Sequence, residues 1–291
     1  MSLRLQQIVL PPPSTRQGYS PSPMSRKVPR SGFTLLELLV VIAVMGILFA
    51  LIVSSVARAK MAAHRIGCIN NLKQWNYAAH IYANEREDAL PREAAIDGIN
   101  SWQITALPTS EDVWYNSLAV TAGMLTMSQY AQTPSSQQDF YLAGKIFHCP
   151  SARFSDVSAT YPNFSLAMNS KLMRDFEKSE PGPPASSLPG EGCKLSAIKV
   201  PDSTVLFLDN GIPGEERLCE FQPLYRGEPK ACASQFPGRH NRGGNIAFAD
   251  GHVQTLPGKD VVEMDPANTF YGRAIYPPRE VIWCRDREAV P

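Results

Sequence analysis

Of 291 residues, 28 are Lys or Arg and 27 are Asp or Glu, so the chain lacks a charge excess of either sign. That absence argues against a general nucleic-acid binder, which carries a basic face built from a large surplus. A mean hydropathy of −0.19 excludes a polytopic membrane protein but leaves room for a single span. Local catalytic and ligand-binding signatures are missing as well. There is no HExxH, HxH or CxxC pairing, no GxSxG elbow, no glycine loop ending in Lys-Ser or Lys-Thr, and no Asp-rich loop of EF-hand spacing. An enzyme is therefore not expected.

Two further absences divide the chain. Residues 1–32 contain no acidic residue and five basic ones: Arg4, Arg16, Arg26, Lys27 and Arg30. They are also rich in Pro and Ser, a composition that neither nucleates a helix nor buries a core, so 1–32 reads as a disordered basic leader. Proline is then missing from 30 to 90, although the chain has 25 in all. Within that stretch, 33–56 is a run of 24 residues whose single charge is Glu37. As a helix it is ~36 Å long, enough to cross a ~30 Å hydrocarbon core. A secretory signal fits poorly, because its apolar region is shorter and is followed by a small-residue cleavage site. A carboxylate in such a span costs up to ~3 kcal/mol at the bilayer centre, so Glu37 requires a partner. A cut after Gly32 would provide one, the free amine of Phe33.

The helical pattern continues over 57–84, with Met61, Cys68, Leu72, Trp75, Ala79 and Tyr82 on one face and His64, Lys73, Asn76 and His80 largely off it. One helix over about 33–84 would be ~78 Å long, apolar all round in its first half and amphipathic in its second. Residues 85–291 lack helical periodicity and are dense in turn signals. Strands are readable at 145–148, 203–208, 245–249 and 252–256, with 280–284 closing the sheet. Asp250-Gly251 predicts a type I′ hairpin turn between the third and fourth of these. The expected fold class is α+β: a long N-terminal spine helix, transmembrane in its first half, packed on a mostly antiparallel β-sheet.

Lys27 and Arg30 followed by Gly32-Phe33-Thr34-Leu35-Leu36-Glu37 resemble the type IV prepilin signal, which type IV pilins share with type II secretion pseudopilins. The resemblance implies cleavage by a prepilin peptidase after Gly32 and methylation of Phe33. It also implies pairing of Glu37 with the amine of a neighbouring subunit during assembly. A start at Met24 would leave a shorter leader, closer to the usual length. His240 and Asp250-Gly251, with nine residues between His240 and Asp250, resemble the H-X9-DG motif of a large class of prepilin-like proteins. The segment from Cys68 through Asn70, Asn71, Leu72, Lys73 and Gln74, and the later Cys149-Pro150, match that class in the expected order.

The resemblance implies an inner-membrane, single-pass protein with its leader cytoplasmic and its head periplasmic or extracellular in a filament. Its partners would be the peptidase, other pilin or pseudopilin subunits, the inner-membrane assembly platform and the lipid bilayer, with no nucleic acid. The alternative is an anchored head that binds a ligand or metal, or catalyses, and uses the signal only for delivery. That reading needs His240, Asp209, Asp250 or His252 to converge. No cofactor is expected; calcium, bound by the head of some pseudopilins, is the ion weighed. An exported chain with six cysteines suits disulfides. Cys68 with Cys149 would staple the spine to the head, and Cys219 with Cys232 would close a local loop; buried free thiols are the other reading. His148 is expected to face solvent, opposite Cys149 on a strand.

Overall fold

The computed structural model describes residues 32–94, 101–142, 146–154, 161–172, 193–220, 222–262 and 281–283. The leader up to Ser31 and the end residues of the 280–284 segment lie outside them. The chain divides into two compact units, the first ending at Ile52 and the second beginning at Val53.

Helix α1 runs from Leu35 to Glu85, one residue from the expected end. It opens on a capping box. Thr34 Oγ1 accepts from the Glu37 amide, and the Thr34 amide donates back to Glu37 Oε2 at 2.8 Å. The part of α1 within the first unit is exposed throughout, including Phe33 just before it at 76%. Among the described residues, α1 is the one helix long and apolar enough to cross a membrane, with a mean hydropathy of 3.0 in its most apolar window.

In the second unit α1 buries Cys68, Leu72, Trp75, Asn76, Ala78, Ala79 and Ala83. The expected stripe holds from Cys68 to Ala79, but Met61 is 65% exposed and Tyr82 is half-buried. Asn76, placed off the stripe by its polarity, is fully buried because its Nδ2 donates to the Phe248 carbonyl at 2.6 Å.

Among the described residues four short α-helices follow, where no helical period was legible. They are α2 (Trp102–Thr105), α3 (Trp114–Thr121), α4 (Met127–Tyr130) and α5 (Pro134–Phe140). All but α3 are one or two turns long, too short to display a period. α4 and α5 start on capping boxes at Thr126 and Thr133.

The sheet contains β1 (Leu166–Asn169), β2 (Val205–Asp209), β3 (Lys230–Ala231), β4 (Gly243–Phe248) and β5 (Val253–Pro257), in the order β3-β1-β2-β4-β5. Every pairing is antiparallel except β1 with β3. Ile282 adds an isolated bridge to Thr204. No strand forms at 146–148, which is turn and bend. One face of the sheet, with Leu166, Met168, Phe207 and Ala247, joins α1 and the short helices in one core. The other, with Ala167, Leu208, Ile246 and Phe248, packs against Phe236, Val261 and Trp283. All four tryptophans are in these cores, and Trp75 meets Trp114 edge-on at 5.0 Å.

The hairpin between β4 and β5 turns at Asp250-Gly251 as expected, but not as type I′; the paired left-handed turn lies ahead of β4. Asn241 and Arg242 are both left-handed (φ +56° and +59°), and His240 and Gly243 exchange both backbone hydrogen bonds around them. Asp250 is not left-handed; only Gly251 is, at φ +102°. The Gly251 amide closes residues 248–251 by donating to Phe248 O, so Ala249-Asp250 are the central pair and Gly251 takes the bulge position.

Candidate functional site

Gly67 opens the approach of α1 to the rest of the second unit. A Cβ there would meet Pro150 Cγ at 3.0 Å, so glycine allows the Cys149-Pro150 segment to lie against the helix. Next to it Asn71 Nδ2 donates to His148 O and Trp75 Nε1 to Ile146 O. Asn71 and Trp75 of the CINNLKQW segment thus dock the helix by donating to loop carbonyls that have no strand partner.

Cys68, one residue beyond Gly67, points at the end of β2. Its Sγ lies 2.7 Å from Asp209 Oδ1. Asp209 follows Phe207 on the α1 face, as period-two alternation requires. Its other oxygen, Oδ2, accepts from the Asn245 backbone amide (2.7 Å) and side-chain Nδ2 (2.9 Å), which fixes the carboxylate. Cys149 is held by its own amide, which donates to Ser165 Oγ at 2.7 Å. Its Sγ lies 3.2 Å from His240 Nε2, and Asp209 Oδ2 lies 3.4 Å from the same nitrogen. One ligand atom from each of Cys68, Cys149, Asp209 and His240 lies within 4.8 Å of the other three, and all four residues are buried.

Arg239 flanks this group. Its guanidinium is bidentate to Glu215 at 2.7 and 2.6 Å and reaches within 3.9 Å of Asp209 Oδ1. Burial pushes the Asp209 carboxyl up to about 6, the Cys149 charge adds to this, and the His240 and Arg239 charges offset part of it. Burial, the Cys149 hydrogen bond and the Asp209 charge raise the Cys68 thiol well above its usual range. Burial also acts to raise Cys149, but hydrogen bonds with Cys68 and His240 and the nearby cations outweigh it and hold that thiol low. His240 is raised, because its Cys149 hydrogen bond and the Asp209 charge exceed the effect of burial. The arrangement favours a thiolate at Cys149.

Cysteine, histidine and aspartate together suggest a catalytic triad, but the geometry is different. In a triad the carboxylate holds one ring nitrogen of histidine and the nucleophile the other. Here Cys149 and Asp209 both address Nε2. The four side chains converge on a point inside the protein, not on a cleft.

Several sequence expectations change. The four residues weighed as metal candidates fall into two pairs: Asp209 and His240 join the buried group, while Asp250 and His252 pair with each other at 2.7 Å at the surface. Cys68 and Cys149 do meet, as the staple required, but both are free thiols. Asp209 and His240 share their space, so a polar cluster occupies the place of the bond. Cys232 is also a free thiol, 3.3 Å from Ser234 Oγ, and is not bridged to Cys219. Cys284 lies outside the described residues. His148 is buried, not solvent-facing, stacked on Tyr141 and edge-on to Phe140. Burial depresses its imidazole to about 3, so it is neutral.

An exposed apolar helix opening on a capped glutamate, followed by a folded α+β unit, has the architecture of a pilin-like, membrane-anchored protein. In agreement, the family described as prokaryotic N-terminal methylation motif matches residues 29–53. The matched motif thus supports a type IV pilin- or pseudopilin-like precursor, and it implies processing by prepilin peptidase. Proteins with this signal are generally structural. No curated protein and no solved structure matches the chain.

Proposed function

We propose that the chain is a structural subunit of a type II secretion pseudopilus or type IV pilus-like filament. The observation that carries this reading is the exposed apolar part of α1, which begins at the methylation motif and leaves all its side chains uncovered. In this reading 1–32 is the cytoplasmic leader removed after Gly32. Residues 33–56 hold the subunit in the inner membrane until extraction, and 57–84 with 85–291 lie outside it. Lateral packing of the apolar segments drives assembly, and Glu37 with the Phe33 amine of a neighbour sets register. Such a buried pair specifies alignment more than it adds stability. The chain itself catalyses nothing.

The capping box supplies a discriminating variant. Glu37→Gln keeps a side-chain acceptor for the Thr34 amide but removes the charge, since glutamine also serves at this position of a capping box. In a strain that assembles the filament, Glu37→Gln should be processed normally yet fail to enter filaments, as scored by shear fractions and cross-linking. Normal incorporation would reduce Glu37 to a helix cap and overturn the register role.

A further inference from the structure

We propose that Cys68, Cys149, Asp209 and His240 form a zinc site that fastens α1 to the sheet. The inference starts from donor chemistry: two thiols, one imidazole nitrogen and one carboxylate oxygen are the ligand types that Zn²⁺ takes in closed, four-coordinate structural sites. Four donors within 4.8 Å of one another match the size of such a shell, whose tetrahedral edges are about 3.5–3.8 Å for usual Zn–S, Zn–N and Zn–O lengths. The short separations between ligand atoms, 2.7 Å from Cys68 Sγ to Asp209 Oδ1 and 3.2 Å from Cys149 Sγ to His240 Nε2, expand to those edges with shifts of under ~1 Å.

The surroundings are also those of a built site. Asn245 holds Asp209 Oδ2 with two donors, leaving Oδ1 turned toward Cys68. Ligands held from behind in this way are a regular part of metal sites. Two thiolates and a carboxylate around a divalent ion leave one negative charge, and the Arg239 guanidinium lies beside it, 3.9 Å from Asp209. On binding, the protons held by the sulfurs and by His240 Nε2 pass to solvent, and both sulfurs and the imidazole nitrogen become ligands. Calcium is the wrong ion for this shell, since it takes six to eight oxygens. Thiolates with an imidazole in tetrahedral reach select zinc. The consequence is mechanical, because the four ligands come from α1, the 146–154 loop, β2 and the β4 turn. One ion would therefore tie together segments separated by up to 172 residues of chain.

The test uses full-length protein purified in detergent. Plasma mass spectrometry should find about one zinc per chain, lost in Cys149→Ser and His240→Ala and retained in Cys232→Ser. Those two ligand variants can fail to fold, so a second readout uses the wild-type chain, stripped and titrated with Co²⁺. Thiolate-to-cobalt charge transfer with the intense visible bands of four-coordinate cobalt is expected. Asn245→Ala should weaken Zn²⁺ binding ~10–100-fold with its circular dichroism unchanged. Three results would overturn the site. One is a Cys68–Cys149 disulfide in the protein as isolated, another is full zinc content in Cys149→Ser, and the third is a reduced chain that takes up neither zinc nor cobalt.

Discussion

The two stretches of α1 solve opposite problems with one backbone. From Leu35 through Val56 every side chain is exposed, and apart from Glu37 the sequence there is uncharged and apolar on all sides. From Cys68 to Ala83 a narrower apolar stripe is buried, and the polar residues beside it reach out to carbonyls. In the first stretch the apolar side chains are exposed among the described residues, a surface suited to lipid or to other subunits. In the second, each buried residue answers a particular neighbour. Substitutions should therefore behave differently in the two stretches even when the chemical change is the same.

The largest contrast is between aromatic truncations. Trp75→Ala should destabilise the second unit by ~3–5 kcal/mol, since it removes a fully buried ring packed on Trp114 and Phe147. Phe49→Ala, at a site 71% exposed, should leave the same denaturant midpoint within ~0.5 kcal/mol. Glycines sharpen the comparison. Gly67→Val drives a branched side chain into Pro150 and should cost ~1–3 kcal/mol. Nothing lies within 4 Å of a Cβ at Gly46, so Gly46→Ala should be neutral or raise helix stability by up to ~1 kcal/mol, read by thermal melts in detergent. Asn76→Ala comes next, at about 1–2 kcal/mol, because the Phe248 carbonyl loses a buried donor.

The last effect is confined to alkaline pH. Burial raises the Tyr115 hydroxyl from 10 to about 12, so the unfolded chain ionises first. Stability should be unaffected below pH 10 and fall as pH rises from 10 to 12. Tyrosinate absorbance against circular dichroism would check it: ionisation of Tyr115 below pH 11 without unfolding would contradict its burial.

How legible each part was depends on whether its cause is local. The GFTLLE signal and the apolar run are linear chemistry, and so were readable in full. So were the long helix and strands β2, β4 and β5, where pattern and length agree. The short helices α2 to α5 were missed because runs of four to eight residues show little period, although the Thr126 and Thr133 capping boxes were available as start signals. Strands β1 and β3 are four and two residues long and take their conformation from their neighbours. Asp250-Gly251 marked the place of the β4–β5 hairpin but not its type, since only Gly251 is left-handed there, while Asn241-Arg242 ahead of β4 took the paired left-handed conformations without a glycine. The buried cluster was half visible: Asp209 and His240 were weighed as ligands, and Cys68 and Cys149 as a pair. Their union was not legible, because no two of the four are near in sequence and only the docking of α1 on β2 and the loop brings them together.

The central claim is that the exposed stretch of α1 is the processed assembly segment of a prepilin-like subunit. Intact-mass and N-terminal peptide mass spectrometry on protein extracted from its native membrane tests it most directly. The account predicts a mature chain beginning at N-methylated Phe33. An intact leader, or cleavage beyond the apolar run, would contradict it.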